Sequence, residues 1–256
     1  MTDDLALDRV ARRLGSAARV TVLTGAGVSA ASGVPTFRGS EGLWKRFRPE
    51  ELATREAFAA NPSLVWEWYD WRRQLLAKCA PNPTHHVLAA WARRWPGLTV
   101  VTQNVDGLHE RAGLEDVVRL HGSIWEVQCW AGCASSPDRW RDDAVPFPAL
   151  PPRCPWCGDL IRPGVVWFGE ALPAAPWERA SRATACDVFI TAGTSAIVYP
   201  AAGLIELAGA RGAYVVEINP DPTPATEAVD AVLRMPAEVA FPALDRRLQG
   251  TSTAAP

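Results

Sequence analysis

Arg19-Val20-Thr21-Val22-Leu23-Thr24-Gly25-Ala26-Gly27-Val28-Ser29-Ala30 decides the class of this fold. An apolar, β-branched run passes directly into two closely spaced glycines, the pattern of a buried strand that turns sharply into a helix. In such a turn the missing Cβ atoms let the backbone approach a pyrophosphate, and a helix N-terminus supplies amide donors. Working outward, strands are predicted at 98–102, 116–120, 187–192, 213–218 and 229–234, with helices at roughly 5–15, 84–94 and 200–211. Strands alternating with helices imply an α/β fold built on a parallel, doubly wound sheet.

Two segments break the alternation. Residues 40–80 read as helical and rich in Trp and Arg, while 124–165 carry four paired cysteines and the proline-rich stretch Pro146 to Pro155, which disfavours regular structure. The expected organisation is a discontinuous Rossmann-like domain of residues 1–39, 81–123 and 166–248. A smaller domain is formed by the helical insertion 40–80 and a zinc-binding module 124–165. The small, polar tail 249–256 is expected to be disordered.

At 256 residues and 48% hydrophobic content, the chain can bury one large core and a satellite. A formal net charge of -2 gives no electrostatic footprint for nucleic acid, so no direct nucleic-acid partner is expected. The first nineteen residues mix acids and arginine pairs with scattered Leu and Val, unlike a signal peptide, and no window is apolar enough to span a bilayer. The reading is a soluble cytoplasmic monomer without membrane partners.

Cys129-x-x-x-Cys133 and Cys154-x-x-Cys157, separated by twenty residues, have the spacing of a four-thiolate zinc site. Four protein ligands leave no position open for water, so such a metal is structural. Cys79 and Cys186 lie outside this pattern and read as buried small hydrophobes.

The polar run Gln103-Asn104-Val105-Asp106-Gly107-Leu108-His109 follows the apolar Leu98-Thr99-Val100-Val101. Ligands bind at the carboxyl ends of strands in open α/β sheets, so this run reads as a site. His121, between a strand and Gly122-Ser123, would place a base that titrates near neutrality at its mouth. His109 reads as a structural hydrogen-bonding residue, and His85 and His86 as the start of a helix with Thr84 as N-cap.

Gly25 to Gly39, Thr102 to His109, His121-Gly122, the cysteine quartet, Val165-Val166-Trp167-Phe168-Gly169-Glu170 and Gly193-Thr194-Ser195 together resemble, in order, the motifs of the sirtuins, NAD-dependent protein lysine deacylases. The resemblance covers about residues 5–245. It implies NAD as co-substrate, one structural zinc, acyl-lysine proteins or peptides as substrates, and nicotinamide, O-acyl-ADP-ribose and free lysine as products.

By that resemblance His121 would accept a proton from a ribose hydroxyl, Asn104 and Asp106 would organise the nicotinamide pocket, and Gln103 would contact ribose. Gly25, Ala26, Gly27, Ser29, Pro35, Thr36, Phe37, Arg38, Trp44 and Val105 would also line the cofactor site. Gly193, Thr194, Ser195, Asn219 and Ala237 would take the adenosine half. Val166, Trp167, Phe168, Gly169 and Glu170 would pair with the substrate backbone as an added strand. Two positions depart from the pattern: Ala31 replaces a common Glu, and Met235-Pro236-Ala237 replaces a Gly-x-Ala or Gly-x-Cys that touches adenine.

Tyr69 and Arg72 are three apart in a helical segment and share a face. They resemble the Tyr-x-x-Arg pair of sirtuins that remove succinyl, malonyl and glutaryl groups, and a guanidinium fork suits a carboxylate. The plainer reading makes Arg72 and Arg73 a solvated basic face. Three other functions compete: a mono-ADP-ribosyltransferase using the same NAD chemistry, a zinc-ribbon nucleic-acid module, and a dehydrogenase. The zinc ribbon lacks a basic stripe. The dehydrogenase lacks an acidic residue ending a second strand about 20 residues on.

Overall fold

A computed structural model of the chain describes residues 3–35 and 49–252. Its strands are β1 (Val20–Thr24), β2 (Leu98–Thr102), β3 (Val117–Arg119), β4 (Gly122–Cys129), β5 (Trp140–Arg141), β6 (Ile161–Val165), β7 (Val188–Ala192), β8 (Tyr214–Ile218) and β9 (Ala231–Leu233). The α-helices are α1 (Asp3–Gly15), α2 (Pro49–Leu52), α3 (Arg55–Ala60), α4 (Pro62–Lys78), α5 (Pro83–Arg94), α6 (Leu108–Arg111), α7 (Ala174–Ala183), α8 (Gly203–Ala210) and α9 (Ala237–Ser252).

Six strands form one parallel sheet in the order β3-β2-β1-β7-β8-β9. This is the doubly wound order, in which the chain reverses direction across the sheet between β1 and β7. Both faces are covered, so β1 and β7 are buried along their whole length and carry apolar or β-branched residues throughout. One face packs α1, α5 and α9 through Val10, Leu14, Trp91, Phe241 and Leu244. The other packs α8 through Leu204 and Ile205 onto Leu23, Val101 and Phe189.

Residues 146–155 are irregular, as the prolines predict, but the 124–165 segment around them is ordered. Its two ends pair as β4 and β6 in a three-stranded antiparallel sheet of order β5-β4-β6, and the prolines fall in the loop between β5 and β6. This small sheet shares a core with α2, α3 and α4, built from Phe58, Trp66, Tyr69, Trp125, Ile161 and Trp167. The apolar run at 165–168 is a strand only to Val165, after which the chain turns. Where a disordered tail is expected from Gln249, α9 continues to Ser252.

Helix α5 starts one step earlier than expected. Asn82, not Thr84, is the N-cap: its side chain accepts from the Thr84 amide, while His85 Nδ1 accepts from the Asn82 amide at 3.2 Å. Pro83 at the first helical position has no amide to satisfy, which favours this frame. His85 and His109 lie ring against ring, centroids 4.8 Å apart, in the interior. His109 Nε2 meets Thr24 Oγ1 at 3.0 Å, the structural role expected of it.

Burial, reinforced by each ring's proximity to another imidazole, pushes His85 down to about 4 and His109 down to about 3. The folded state therefore holds both rings neutral, whereas in the unfolded chain they take up protons below about pH 6.5. Stability is full above that pH and is lost as pH falls from about 6.5 toward 3–4, by up to ~1.4 kcal/mol per pH unit for each histidine. Denaturant midpoints measured between pH 7.5 and 4.5 should fall accordingly, and the His85→Gln, His109→Gln double variant should flatten that slope.

Candidate active site

At the carboxyl edge of the main sheet, the turns that follow β1 and β7 meet. The Gly27 amide donates to the Gly193 carbonyl at 2.7 Å. A Cβ on Gly25 or Gly27 would lie 2.8 Å from backbone atoms of Gly193, and Gly193 itself has φ 57°. These glycines are thus required by loop-to-loop packing, independently of any ligand. The segment after Gly25, expected to open an α-helix, is a tighter 3₁₀ turn over Ala26–Ser32 that closes at Gly33 with φ 84°.

The run after β2 locks onto this turn. Asn104 Nδ2 donates to the Gly25 carbonyl at 3.0 Å and to Ser29 Oγ at 3.2 Å, and Ser29 Oγ donates to Asp106 Oδ2 at 2.8 Å. Asp106 Oδ1 accepts from the Leu108 amide, fixing the carboxylate from its other side. Burial raises the Asp106 carboxyl above its ordinary range, against the lowering effect of these hydrogen bonds and of Arg72 and Arg111. Val105 packs against the small-domain core, and its carbonyl accepts from Ile124 at the start of β4.

His121 sits at the junction of the two sheets. Its carbonyl accepts from the Val166 amide at 2.9 Å, and its Nδ1 lies 3.0 Å from the Gln103 carbonyl. A carbonyl only accepts, so Nδ1 carries the proton and, in the neutral ring, Nε2 keeps its lone pair. Burial lowers the His121 pKa, opposed by the bond to Gln103. The result is a neutral imidazole whose basic Nε2 has no hydrogen-bond partner among the described residues, held by the backbone of the polar run itself.

The remaining predicted cofactor residues lie at the ends of β2, β7 and β8, at the start of α9 and in or beside the glycine turn. Gln103 Nε2 donates to Thr194 Oγ1 at 3.0 Å, and Asn219 Nδ2 donates to the Thr194 carbonyl at 3.1 Å, joining the ends of β2, β7 and β8. Ser195 is next in this turn and half-buried, while Ala237 is buried at the start of α9. Met235 packs against the main core. Ala26 and Pro35 lie within and just after the 3₁₀ turn. Thr36, Phe37, Arg38 and Trp44 fall outside the described residues.

Val166 to Glu170 leave β6 beside His121. Trp167 is buried, whereas Phe168 and Gly169 are exposed; the Phe168 amide donates to the Ala53 carbonyl at 2.9 Å. Glu170 accepts from the Trp167 amide at 2.9 Å and pairs with Arg162 at 2.5 and 2.9 Å.

On α4, Tyr69 accepts a hydrogen bond from Trp167 Nε1 at 2.9 Å, and the Arg72 guanidinium lies over the Trp68 and Tyr69 rings at 4.8 and 5.8 Å. The solvated-face reading fails for Arg73, which is 0% exposed and bonded to the Ile124 carbonyl and Asp142. Arg72, in contrast, has no hydrogen bond or ion pair to any described residue and is only partly exposed. Desolvation lowers its pKa, with Tyr69 and Asp106 the opposing influences.

The four predicted zinc ligands converge. Their Sγ atoms all lie within 4.8 Å of one another, with Cys129–Cys157 at 3.6 Å and Cys133–Cys154 at 3.8 Å. A tetrahedron with Zn–S bonds near 2.3 Å has edges of about 3.8 Å, so the four thiols fit one ion with no coordination position left over. They tie the turn after β4 to the turn before β6, about one strand-length from His121 along β4. Cys79 and Cys186 are buried and apart from this cluster, as expected.

The sequence profile of the Sir2 family matches residues 25–200. An NAD-dependent protein deacylase of Aquifex aeolicus is 53% identical over 212 residues, covering 82% of this chain and 87% of that one. Another, from Mycolicibacterium paratuberculosis, is 52% identical and covers 90% and 98%. The crystal structure of a Sir2 homologue in complex with NAD superposes with a TM-score of 0.89 at 44% identity, covering 95% of this chain and 94% of that one. The chain belongs to the Sir2 family.

At this Sir2 site, Arg162 and Asn82 have no counterpart in the sequence-based expectations, and Arg73 differs from the solvated role expected of it. Arg73 and Arg162 are buried arginines that bind backbone carbonyls, and Asn82 caps α5 while reaching back to the Val28 carbonyl and Ser32 Oγ of the glycine turn. Asn82 was open to discovery, because Asn-Pro before an apolar period marks a helix start. A separate cleft of about 650 Å³ opens behind the Asp106–Gly107 turn, lined by Glu110, Arg119, Trp125 and Glu126; its Arg119 and Glu126 pair at 2.9 Å.

Metal analysis of the purified protein should find one zinc per chain. Cys154→Ser should lose it and lower the unfolding midpoint by roughly 5–10 °C, at about 2–4 °C per kcal/mol for a chain of this size. A wild-type protein without zinc would overturn the four-thiolate assignment.

Proposed function

We propose that this protein is an NAD-dependent protein lysine deacylase that favours acyl chains ending in a carboxylate, such as succinyl and malonyl, and also accepts acetyl. The observation that carries the activity is His121: a neutral imidazole whose Nδ1–H is committed to the Gln103 carbonyl, leaving Nε2 as a base between the glycine turn and the 166–170 segment. Support comes also from the relatives named NAD-dependent protein deacylase at about half identity. The organisation we infer is a Rossmann-like domain facing a smaller helical and zinc-braced one, with the boundaries expected from sequence except that α9 runs on to Ser252. Free thiols at metal-binding distance suit a reducing compartment, here the cytoplasm.

The residues present fit NAD. Asn104 and Asp106 bring amide and carboxylate groups to the rim of the glycine turn, whose own Gly25 and Gly27 amides are committed to the Ala192 and Gly193 carbonyls, and Gln103, Thr194 and Asn219 already form one polar shelf. When bound, NAD supplies an ADP-ribosyl group that takes the acyl chain from lysine, with nicotinamide leaving and water releasing O-acyl-ADP-ribose.

In this reading Gly25, Ala26, Gly27, Ser29 and Pro35 approach the phosphates and ribose, while Ser195 and Ala237 complete the adenosine end. Asn104 uses its two donors on Gly25 and Ser29, so its carbonyl oxygen is turned out as an acceptor. His121 Nε2 removes a proton from a ribose hydroxyl. Val166 and its neighbours offer backbone groups to the substrate chain, which makes recognition depend on the acyl-lysine more than on flanking sequence.

The acyl preference rests on Tyr69 and Arg72. The phenol oxygen accepts from Trp167, which leaves its one hydrogen without an acceptor among the described residues. Arg72 next to it is a largely desolvated guanidinium with no ion pair among the described residues, Asp106 acting on it only through space. Two unmatched donors on one helix face call for an anionic double acceptor, and a carboxylate is that group. An acetyl group has no terminal carboxylate and would leave both unmatched.

His121→Ala should retain NAD binding, measured by calorimetry, and lose about 10²–10⁴-fold in turnover. Because the base must be neutral, wild-type kcat/KM should fall on the acid side with a midpoint below histidine's ordinary 6.5, a limb absent from the variant. Arg72→Met should cost about 10–100-fold in kcat/KM on succinyl-lysine peptide, the scale of a charge-assisted hydrogen bond, and far less on acetyl-lysine. Equal losses on both peptides would return Arg72 to a structural role. Protein-linked ADP-ribose in place of O-acyl-ADP-ribose would favour the transferase.

A further inference from the structure

Trp167 is one of the largest fully enclosed side chains of the small core, yet its ring nitrogen is aimed at a single side-chain atom, the Tyr69 hydroxyl oxygen, 2.9 Å away. Indole Nε1–H can only donate, so the phenol oxygen must accept. A phenol has one hydrogen, rotating about the C–O bond, and the accepted bond removes the orientation in which that hydrogen would point at Trp167.

The indole is itself held from three sides. The Arg162 guanidinium lies 3.5 Å from the ring centroid, Phe58 packs at 5.4 Å, and the Trp167 amide is tied to Glu170. Arg162 is fixed in turn by both oxygens of Glu170 and by the Val165 carbonyl at 2.9 Å. A cation over the indole face draws density from the ring and strengthens its N–H as a donor.

We propose that Trp167 is a specificity-determining positioning residue: its indole N–H turns the Tyr69 hydroxyl hydrogen toward the acyl pocket, so that Tyr69 and Arg72 present two donors to one terminal carboxylate. This rests on the acidic-acyl reading given above and adds to it a residue whose side chain acts through Tyr69. Burial pushes the Tyr69 phenol up, opposed by Arg72 and the Trp167 bond, so the hydroxyl keeps its proton at neutral pH and remains a donor. With the indole nitrogen replaced by carbon, Tyr69 is free to rotate, and part of its population turns away from the ligand. The loss falls on substrates that need that donor.

The test is a double-mutant cycle of Trp167→Phe and Tyr69→Phe, read as kcat and KM on succinyl-lysine and acetyl-lysine peptides. Trp167→Phe should lower the succinyl-to-acetyl ratio of kcat/KM about fivefold, the scale of one neutral hydrogen bond, mainly through KM for the succinyl peptide. In the Tyr69→Phe background the same change should leave the ratio unaltered. An equal loss on both peptides, or effects on the ratio that multiply in the double variant, would overturn the proposal. Arg72→Met in the same assays separates the two readings. If it is selective for succinyl while Trp167→Phe is not, the positioning role alone fails; if it too is unselective, the acidic-acyl reading fails and this proposal with it. Should Trp167→Phe not fold, β-(3-benzothienyl)alanine at position 167 keeps the bicyclic shape, lacks only the N–H, and is read in the same way.

Discussion

The approach of Gly27 to Gly193, backbone against backbone, is the constraint from which the site follows. Parallel pairing of β1 with β7 brings two strand-end turns to the same place, and only residues without Cβ atoms let them touch. Because the turns touch, the carbonyl of Gly25 faces the end of β2, where Asn104 binds it. Asn104 then draws Ser29, Ser29 draws Asp106, and Gln103 is left with its carbonyl toward His121 and its amide toward Thr194. A bulky residue at position 27 would disturb every one of these bonds without touching any of them directly.

The main sheet was legible because its strands are buried on both faces and therefore read as unbroken apolar runs ended by turn residues. All six fall where Val20–Thr24, Leu98–Thr102 and their successors predict them. The small sheet was not legible. β4 mixes Ser123, Glu126 and Gln128 with Ile124, Trp125 and Val127, and β6 holds Pro163 and Gly164, residues that argue against a strand. Its pairing is imposed from outside, by the cysteine knuckles at one end and the His121–Val166 bond at the other.

The polar residues of the site were readable as types and positions, since the chain spends Gln, Asn, Asp and His where an apolar strand has just ended. Their connections were not. Nothing local in the sequence indicates that Ser29 and Asp106 are bonded across 77 residues, or that Trp167 reaches Tyr69 across 98. The histidines illustrate the same limit. What most separates His85, His109 and His121 is their surroundings in the fold: the two that lie in the interior face each other, while the third keeps a nitrogen without a partner among the described residues at the sheet edge.

Arg72 and Arg73 bring the argument to one turn of helix. Arg73 leaves water entirely and Arg72 in part, and each desolvation must be offset by partners. Arg73 has them within the chain: the Ile124 carbonyl and Asp142, with Phe147 against its face at 4.6 Å. It therefore serves the fold, clamping α4 to β4. Arg72 has aromatic faces but no acceptor among the described residues. Its charge is held in place by packing, with Asp106 acting on it only through space and no ion pair among the described residues, an incomplete compensation that a ligand carboxylate would make good. Two neighbouring arginines on one helix thus divide into a structural residue and a receptor, and the division follows from which of them the chain itself satisfies.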